Sequence, residues 1–228
     1  MANHWKDFLS DQKRIVLFVI IVVFAFILTS FFSQFMVWNE NRPGAVIQDP
    51  ILKVLRPINL SSITMSFTIL PIFCGMILIF KKPVSTVYFF FTVIFICLMR
   101  TLTIFLVPLE PPLGIIPLSD PVIEKLFYND QVILKDLFFS GHTANLVVIG
   151  LLSEWKSYKY FIFVCAFIVG CLLMKQHVHY TMDVIAAPFF AFLAYKWGVL
   201  SANKILLQDF KAVQCTGCIF KRVKLFGS

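Results

Sequence analysis

Charge is what this chain has little of. Asp, Glu, Lys and Arg make up 14% of its 228 residues, where an ordinary soluble domain carries about 25%. Glycine is sparse as well, at nine residues, and no Gly/Ser-rich linker or repeat of 20 to 50 residues divides the chain, so residues 1–228 read as one domain. The connecting loops hold no cysteine: Cys74, Cys97, Cys165 and Cys171 lie in apolar runs and Cys215 and Cys218 in the tail, which excludes a disulfide-stapled secreted module. Disorder and collagen are excluded by the same composition. What is present is 59% hydrophobic residues, 27 of them phenylalanine, with a mean hydropathy of +0.86. That is the composition of an integral membrane protein.

At roughly 20 residues per crossing, the apolar runs predict an all-α polytopic membrane protein with six transmembrane helices in a compact bundle. The expected spans are about 15–38, 61–80, 84–107, 137–153, 158–174 and 181–200, followed by a basic tail over 201–228. The first run exceeds the apolar stretch of a signal peptide and no small-x-small cleavage site follows it, so it reads as a span. Of the 20 lysines and arginines, thirteen fall on the side of the termini and six on the other. By the positive-inside rule this places both termini in the cytoplasm. The net charge of +8 therefore reports orientation and attraction to anionic lipid, and not nucleic-acid binding. Cys215-Thr-Gly-Cys218 is a lone pair without the two further ligands a zinc site needs, and reads as incidental thiols or a lipid anchor.

Three ionisable features stand at or inside the apolar runs, where an ionisable group needs a reason. His142 lies in Asp136-Leu-Phe-Phe-Ser140-Gly141-His142-Thr143 and begins the fourth expected span; His177 and His179 lie in His177-Val-His179-Tyr180-Thr181-Met-Asp183 and begin the sixth. Both stretches face the extracytoplasmic side in this topology. His179 and Asp183 are four apart, on one helix face and within reach of a hydrogen bond. A carboxylate behind an imidazole is the arrangement of an activated histidine nucleophile. Ser140, Gly141 and Thr143 offer hydroxyls and free N–H groups at the positive end of a helix, a terminus suited to a phosphate oxyanion, and His142 suits a general acid or base. Taken singly, these residues read as interfacial histidines and a helix-start acid; taken together they read as one site. Arg100 sits within the third apolar run. A His-x-His pair followed by one Asp lacks a catalytic metal's ligand set, so no metal or other cofactor is expected.

The two stretches resemble the sphingomyelin synthases and their relatives within the type 2 phosphatidic acid phosphatase, or lipid phosphate phosphatase, superfamily. Those synthases carry Asp-x-x-Phe-Ser-Gly-His-Thr and His-x-His-Tyr-Thr-x-Asp-Val segments, matched by Asp136 to Thr143 and by His177 to Val184. Arg100 to Pro108 is similar to the family's Arg-x-x-Thr stretch, and Arg42-Pro-Gly with Asp49-Pro50 looks like the segment before its second span. The resemblance implies His179 as nucleophile, Asp183 as its supporting carboxylate and His142 as the second histidine. It gives Arg100 a reason, to hold a phosphate or pair with Asp136, and the residues expected to hold substrate or phosphate are Arg100, Asp136, Ser140, Gly141, Thr143, His177 and Tyr180. The chain departs from the phosphatase branch, which begins with Lys-x6-Arg-Pro: seven residues before Arg56-Pro57 stands Asp49. It departs from the synthases at Leu134-Lys135, where they often have Cys-Gly, and at Val178, where they have Glu.

The expected function is thus transfer of a phospho-headgroup from a membrane phospholipid to a lipid alcohol, ceramide or diacylglycerol-like, on the exoplasmic face. Lipid phosphate phosphatase is the first alternative. A non-catalytic transporter using the histidines as a proton relay is the second.

Overall fold

The computed structural model describes residues 5–118 and 132–207. Among these it is helical throughout apart from loops and a single bridge between Ala45 and Leu109. The helices are α1 (Trp5–Phe8), α2 (Gln12–Glu40), α3 (Pro50–Val54), α4 (Ser61–Phe80), α5 (Pro83–Leu106), α6 (Gly141–Leu152), α7 (Lys156–Lys175) and α8 (Thr181–Ala202), the last running into a π-helical turn at Asn203–Leu207. Five of them, α2, α4, α5, α7 and α8 with its π turn, are long and apolar enough to cross a membrane. This is the pattern of an integral membrane protein.

The fourth expected span takes a different form. Over 137–153 the chain forms the 12-residue helix α6, about 18 Å long at 1.5 Å per residue, too short for a hydrocarbon core of about 30 Å. Leu137, Phe138 and Phe139 are apolar, but they form a bend in which Leu137 and Phe139 are buried, with Phe138 and Phe139 both in left-handed backbone at φ 60° and 64°. All of α6 except His142, Asn145 and Leu151 is buried. Hydropathy registers a protein-facing residue and a lipid-facing one alike, which is why the apolar run outlasts the helix. Residues 208–228, most of the basic tail with Cys215 and Cys218, lie outside the described residues.

α5 and α8 form the centre, with α2 against α5 and α6 inserted between α7 and α8. Small residues permit these approaches: Ala187, Ala191 and Ala194 on α8 are fully buried, and a Cβ on Gly198 would meet the Thr92 backbone at 2.8 Å. Close backbone contact of this kind is how helices associate where lipid removes the hydrophobic drive. The two ends of the helix assembly are closed differently. At one, Phe8, Val87, Phe91, Leu206 and Leu207 pack together and the Trp5 indole donates to the Phe80 carbonyl. At the other, loops 41–60, 107–118 and 132–140 knit over the ends of α6 and α8, and there the polar residues gather.

Candidate active site

The site begins with how α8 starts. Asp49, the N-cap of α3, also accepts from the Thr181 N–H at 2.7 Å and the Thr181 hydroxyl at 3.1 Å, so one carboxylate fixes the first turns of two helices. Burial raises the Asp49 pKa, but the Thr181, Leu52 and Ile51 donors outweigh it and hold the carboxyl below its usual range. Anchored this way, α8 places His179 just before its first turn and Asp183 within it, with His179 Nδ1 3.4 Å from Asp183 Oδ2. Asp183 is fully buried, and Oδ2 also accepts from the Tyr180 N–H at 3.2 Å; Oδ1 has no hydrogen-bond partner among the described residues. Nδ1 being turned to the carboxylate, Nε2 is the ring nitrogen left for chemistry.

α6 is tied to the same point. The Ser140 N–H donates to the Asp183 carbonyl at 3.1 Å, and the Ser140 hydroxyl caps the helix by accepting from the Thr143 N–H. The two motif segments, some 40 residues apart in sequence, are therefore bonded to each other. The left-handed pair Phe138-Phe139 makes the sharp entry into α6; Phe139 stacks on Phe190 at 4.7 Å. Backbone held in this region by surrounding packing is common where function demands a fixed geometry.

Arg100, on α5, reaches this junction. Its guanidinium is ion-paired with Asp136 and lies over the rings of Phe32 (5.2 Å) and Phe139 (5.7 Å). A Cβ on Gly141 would collide with the guanidinium, so any larger residue there must displace the Arg100 side chain from its ion pair. Burial pushes Asp136 up, but the combined pull of Arg100, by charge and hydrogen bond, and of His179 and His142 outweighs it and keeps the carboxyl below its ordinary range.

Arg100, Asp136, Gly141, His142 and His179 all line one pocket of about 590 Å³, with Asn145 one turn below His142. Its upper end is polar and the rest is apolar, bounded by α2, α4, α5 and α6. Asp183 stands behind His179, and Ser140 is buried at the N-cap of α6. Thr143 is buried, with its hydroxyl facing no partner among the described residues. Two expected substrate residues are placed otherwise. Both ring nitrogens of His177 lie 3.0 Å from loop carbonyls, of Leu113 and Leu55, so it clamps two loops. Tyr180 is 1% exposed, donates to the Glu110 carbonyl and accepts from the Ile47 N–H, a latch on the loops and not a pocket wall.

Sequence reading missed Gln176 altogether. It is fully buried and bonds the Leu60 N–H, the Ser61 hydroxyl and the Ile116 and Pro117 carbonyls, tying α4 and the loop after α5 to the end of α7. Glu40, Asn39 and the Glu110–Lys135 pair likewise hold the strand of loop that presents Asp136. The signal for Asp49 was present, an acid before a proline at a helix start. No spacing rule links it to residue 181. Among the described residues, no three His, Cys, Asp or Glu side chains converge to hold a metal ion.

Residues 135–199 match the family model described as PAP2 superfamily C-terminal. This match supports membership of the PAP2 superfamily. The matched stretch contains both histidine segments and Asp183; Arg100, Asp49 and the first three long helices lie outside it. Members of the superfamily are generally lipid phosphatases or phosphotransferases, which supports an enzyme acting on lipid phosphates. No curated protein is a significant match to the chain.

Proposed function

We propose that the protein is a lipid phosphotransferase resembling sphingomyelin synthases, working through a histidine nucleophile. The observation that carries this reading is that His142 and His179, from distant segments, line one pocket with Asp183 behind His179. In the first step His179 Nε2 attacks phosphorus while the bond from phosphorus to the lipid alcohol oxygen breaks. That oxygen takes a proton from His142. In the second step a hydroxyl gives its proton to His142 and attacks the phosphohistidine, releasing His179. Asp183 orients the ring and stabilises the positive charge it develops. Arg100 and the N–H groups opening α6 stabilise the charged phosphoryl oxygens. Before substrate arrives, Asp136 neutralises the buried guanidinium, which would otherwise be costly.

Six crossings, with α6 and its buried entry loop completing one of them, cytoplasmic termini and an extracytoplasmic site belong to the same proposal. The charge bias of the loops supports them. Phosphatase chemistry is the second reading, and Asp49 weighs against the branch that begins with Lys-x6-Arg-Pro. Where that branch has its lysine, this chain has a carboxylate engaged in holding α8.

The test is incubation of purified protein with a headgroup-labelled phospholipid, with and without ceramide or diacylglycerol, and mass spectrometry of the products. Label entering a new lipid only with acceptor present is the expected result. Water-soluble label released without acceptor makes the protein a hydrolase instead. Chelators should change nothing, and inhibition by EDTA that zinc reverses would overturn the metal-free mechanism.

A further inference from the structure

The pocket extends well past the polar groups that the chemistry uses. On α5 it is lined from Arg100 down to Phe89, and on α4 from Met65 to Met76, twelve residues from end to end in each case and about 16 Å of helix. That is about half of a 30 Å hydrocarbon core, the depth of one leaflet. The wall is dry. Thr29 and Thr68 line it, yet each donates its hydroxyl at 2.8 Å to a carbonyl of its own helix, of Ala25 and Thr64, and so leaves a methyl to the pocket. At the far end Phe89 meets Phe80 and Phe90 at ring centroid distances of 5.5 and 5.4 Å, and these rings join the last residue of α4 to α5. No residue of α4 past Met76 or of α5 before Phe89 lines the slot. On its flank, Ile69 and Phe73 both line the slot and stay about half exposed to the surroundings of α4.

Resting on the reading above, we propose that this slot is a sleeve for one hydrocarbon chain of a lipid phosphate ester, and that Phe89, with Phe80 and Phe90 beneath, sets the longest chain admitted. Volume agrees with depth. A methylene occupies about as much space as a water molecule, roughly 30 Å³, so about 590 Å³ holds a phosphate and a single leaflet-length chain and not two. A second chain stays in the bilayer, past Ile69 and Phe73. The sleeve selects by upper length: a chain already in lipid gains little by transfer to another apolar space, whereas methylenes beyond the floor must be forced into packed rings.

The probe is an equimolar mixture of n-alkylphosphonates from eight to twenty-two carbons, whose P–C bond is not cleaved by the proposed transfer. The species retained by the detergent-solubilised full chain are read by native mass spectrometry. Wild-type protein and His179→Ala should retain chains up to one leaflet in length and deplete longer ones about fivefold or more, the cost of overpacking. Phe89→Ala moves the cut-off to longer chains, and Val93→Trp, which narrows the slot above the floor, moves it to shorter ones. Retention without a cut-off, or the same cut-off in wild type and Phe89→Ala, overturns the sleeve. Should Val93→Trp fail to fold, Phe89→Ala decides alone. A shifting cut-off without turnover of any labelled lipid leaves the sleeve standing and removes the transferase; turnover with no cut-off does the reverse.

Discussion

His179 is 2% exposed and reaches the pocket through one side of its ring, with Asp183 at 3.4 Å on the other. Removing that ring removes the proposed nucleophile, so His179→Ala should abolish turnover and any labelled phosphoprotein trapped by acid quench. His142→Ala should lower turnover by about 10² to 10⁴, the usual contribution of a positioned general acid or base. Asp183→Ala should lower it by a similar factor, because the imidazole loses its orienting partner. All three should remain folded by size-exclusion chromatography; an active His179→Ala would remove the nucleophile assignment. Gly141→Ala tests the neighbouring contact: its methyl collides with the Arg100 guanidinium, and a stability loss of about 1–3 kcal/mol is expected with impaired turnover. The identities of His142, His179 and Asp183 as candidates were legible from residue type and spacing. The diversion of His177 and Tyr180 was not, because a side chain's partner in a separate loop leaves no periodic trace.

Among the elements, α8 depends most on a residue outside itself. Asp49 stands in the loop before α3 and holds Thr181, and through it the helix that carries Asp183 and follows His179. Asp49→Asn keeps the shape but weakens the acceptors. A loss of about 1.5–3 kcal/mol is expected, the range for hydrogen bonds to a charged group, with reduced turnover as His179 is displaced; a thermal melt and the labelled-lipid assay check both. Helices α2, α4, α5, α7 and α8 were visible as long apolar runs, within a few residues of their ends. The start of α6 was not legible, since Leu137 to Phe139 carry the hydropathy of a span but bend in left-handed backbone at Phe138 and Phe139. The short α1 and the π turn after α8 left no signal either, because what defines them is packing against Val87 and Phe91.

For the whole molecule, acid tests the knitted loop end. Asp49, Glu110 and Asp136 are all lowered from their ordinary carboxylate values. At Asp49 the Thr181, Leu52 and Ile51 donors, and at Asp136 Arg100 together with His179 and His142, exceed the opposing effect of burial; at Glu110 Lys135 is the main cause. A folded pKa below the unfolded one contributes stability that is complete above the unfolded value, about 4, and is lost as pH falls toward the folded value. The melting temperature should therefore be level from pH 8 to 5 in the acidic direction and fall below about pH 4. The drop should be smaller in Asp49→Asn, one of the three contributors having been removed already; an identical drop in that variant removes Asp49 from the account.

By itself the sequence determined the solvent of this protein and the candidates for its chemistry. Scarce charge and long apolar runs require helices in lipid, since backbone groups there must be satisfied within the segment, and two histidines with an acid four residues on are the candidates for the proposed nucleophile and its support. Tertiary structure decided which of those residues share a pocket, that α6 is a buried half-length helix, and that Arg100, Asp49 and the Phe80, Phe89 and Phe90 rings belong to the same arrangement. The physical reason is range. Hydropathy and helical periodicity act within a segment, whereas the bond from Ser140 to the Asp183 carbonyl and the bond from Thr181 to Asp49 join segments roughly 40 and 130 residues apart and exist only once the helices have packed.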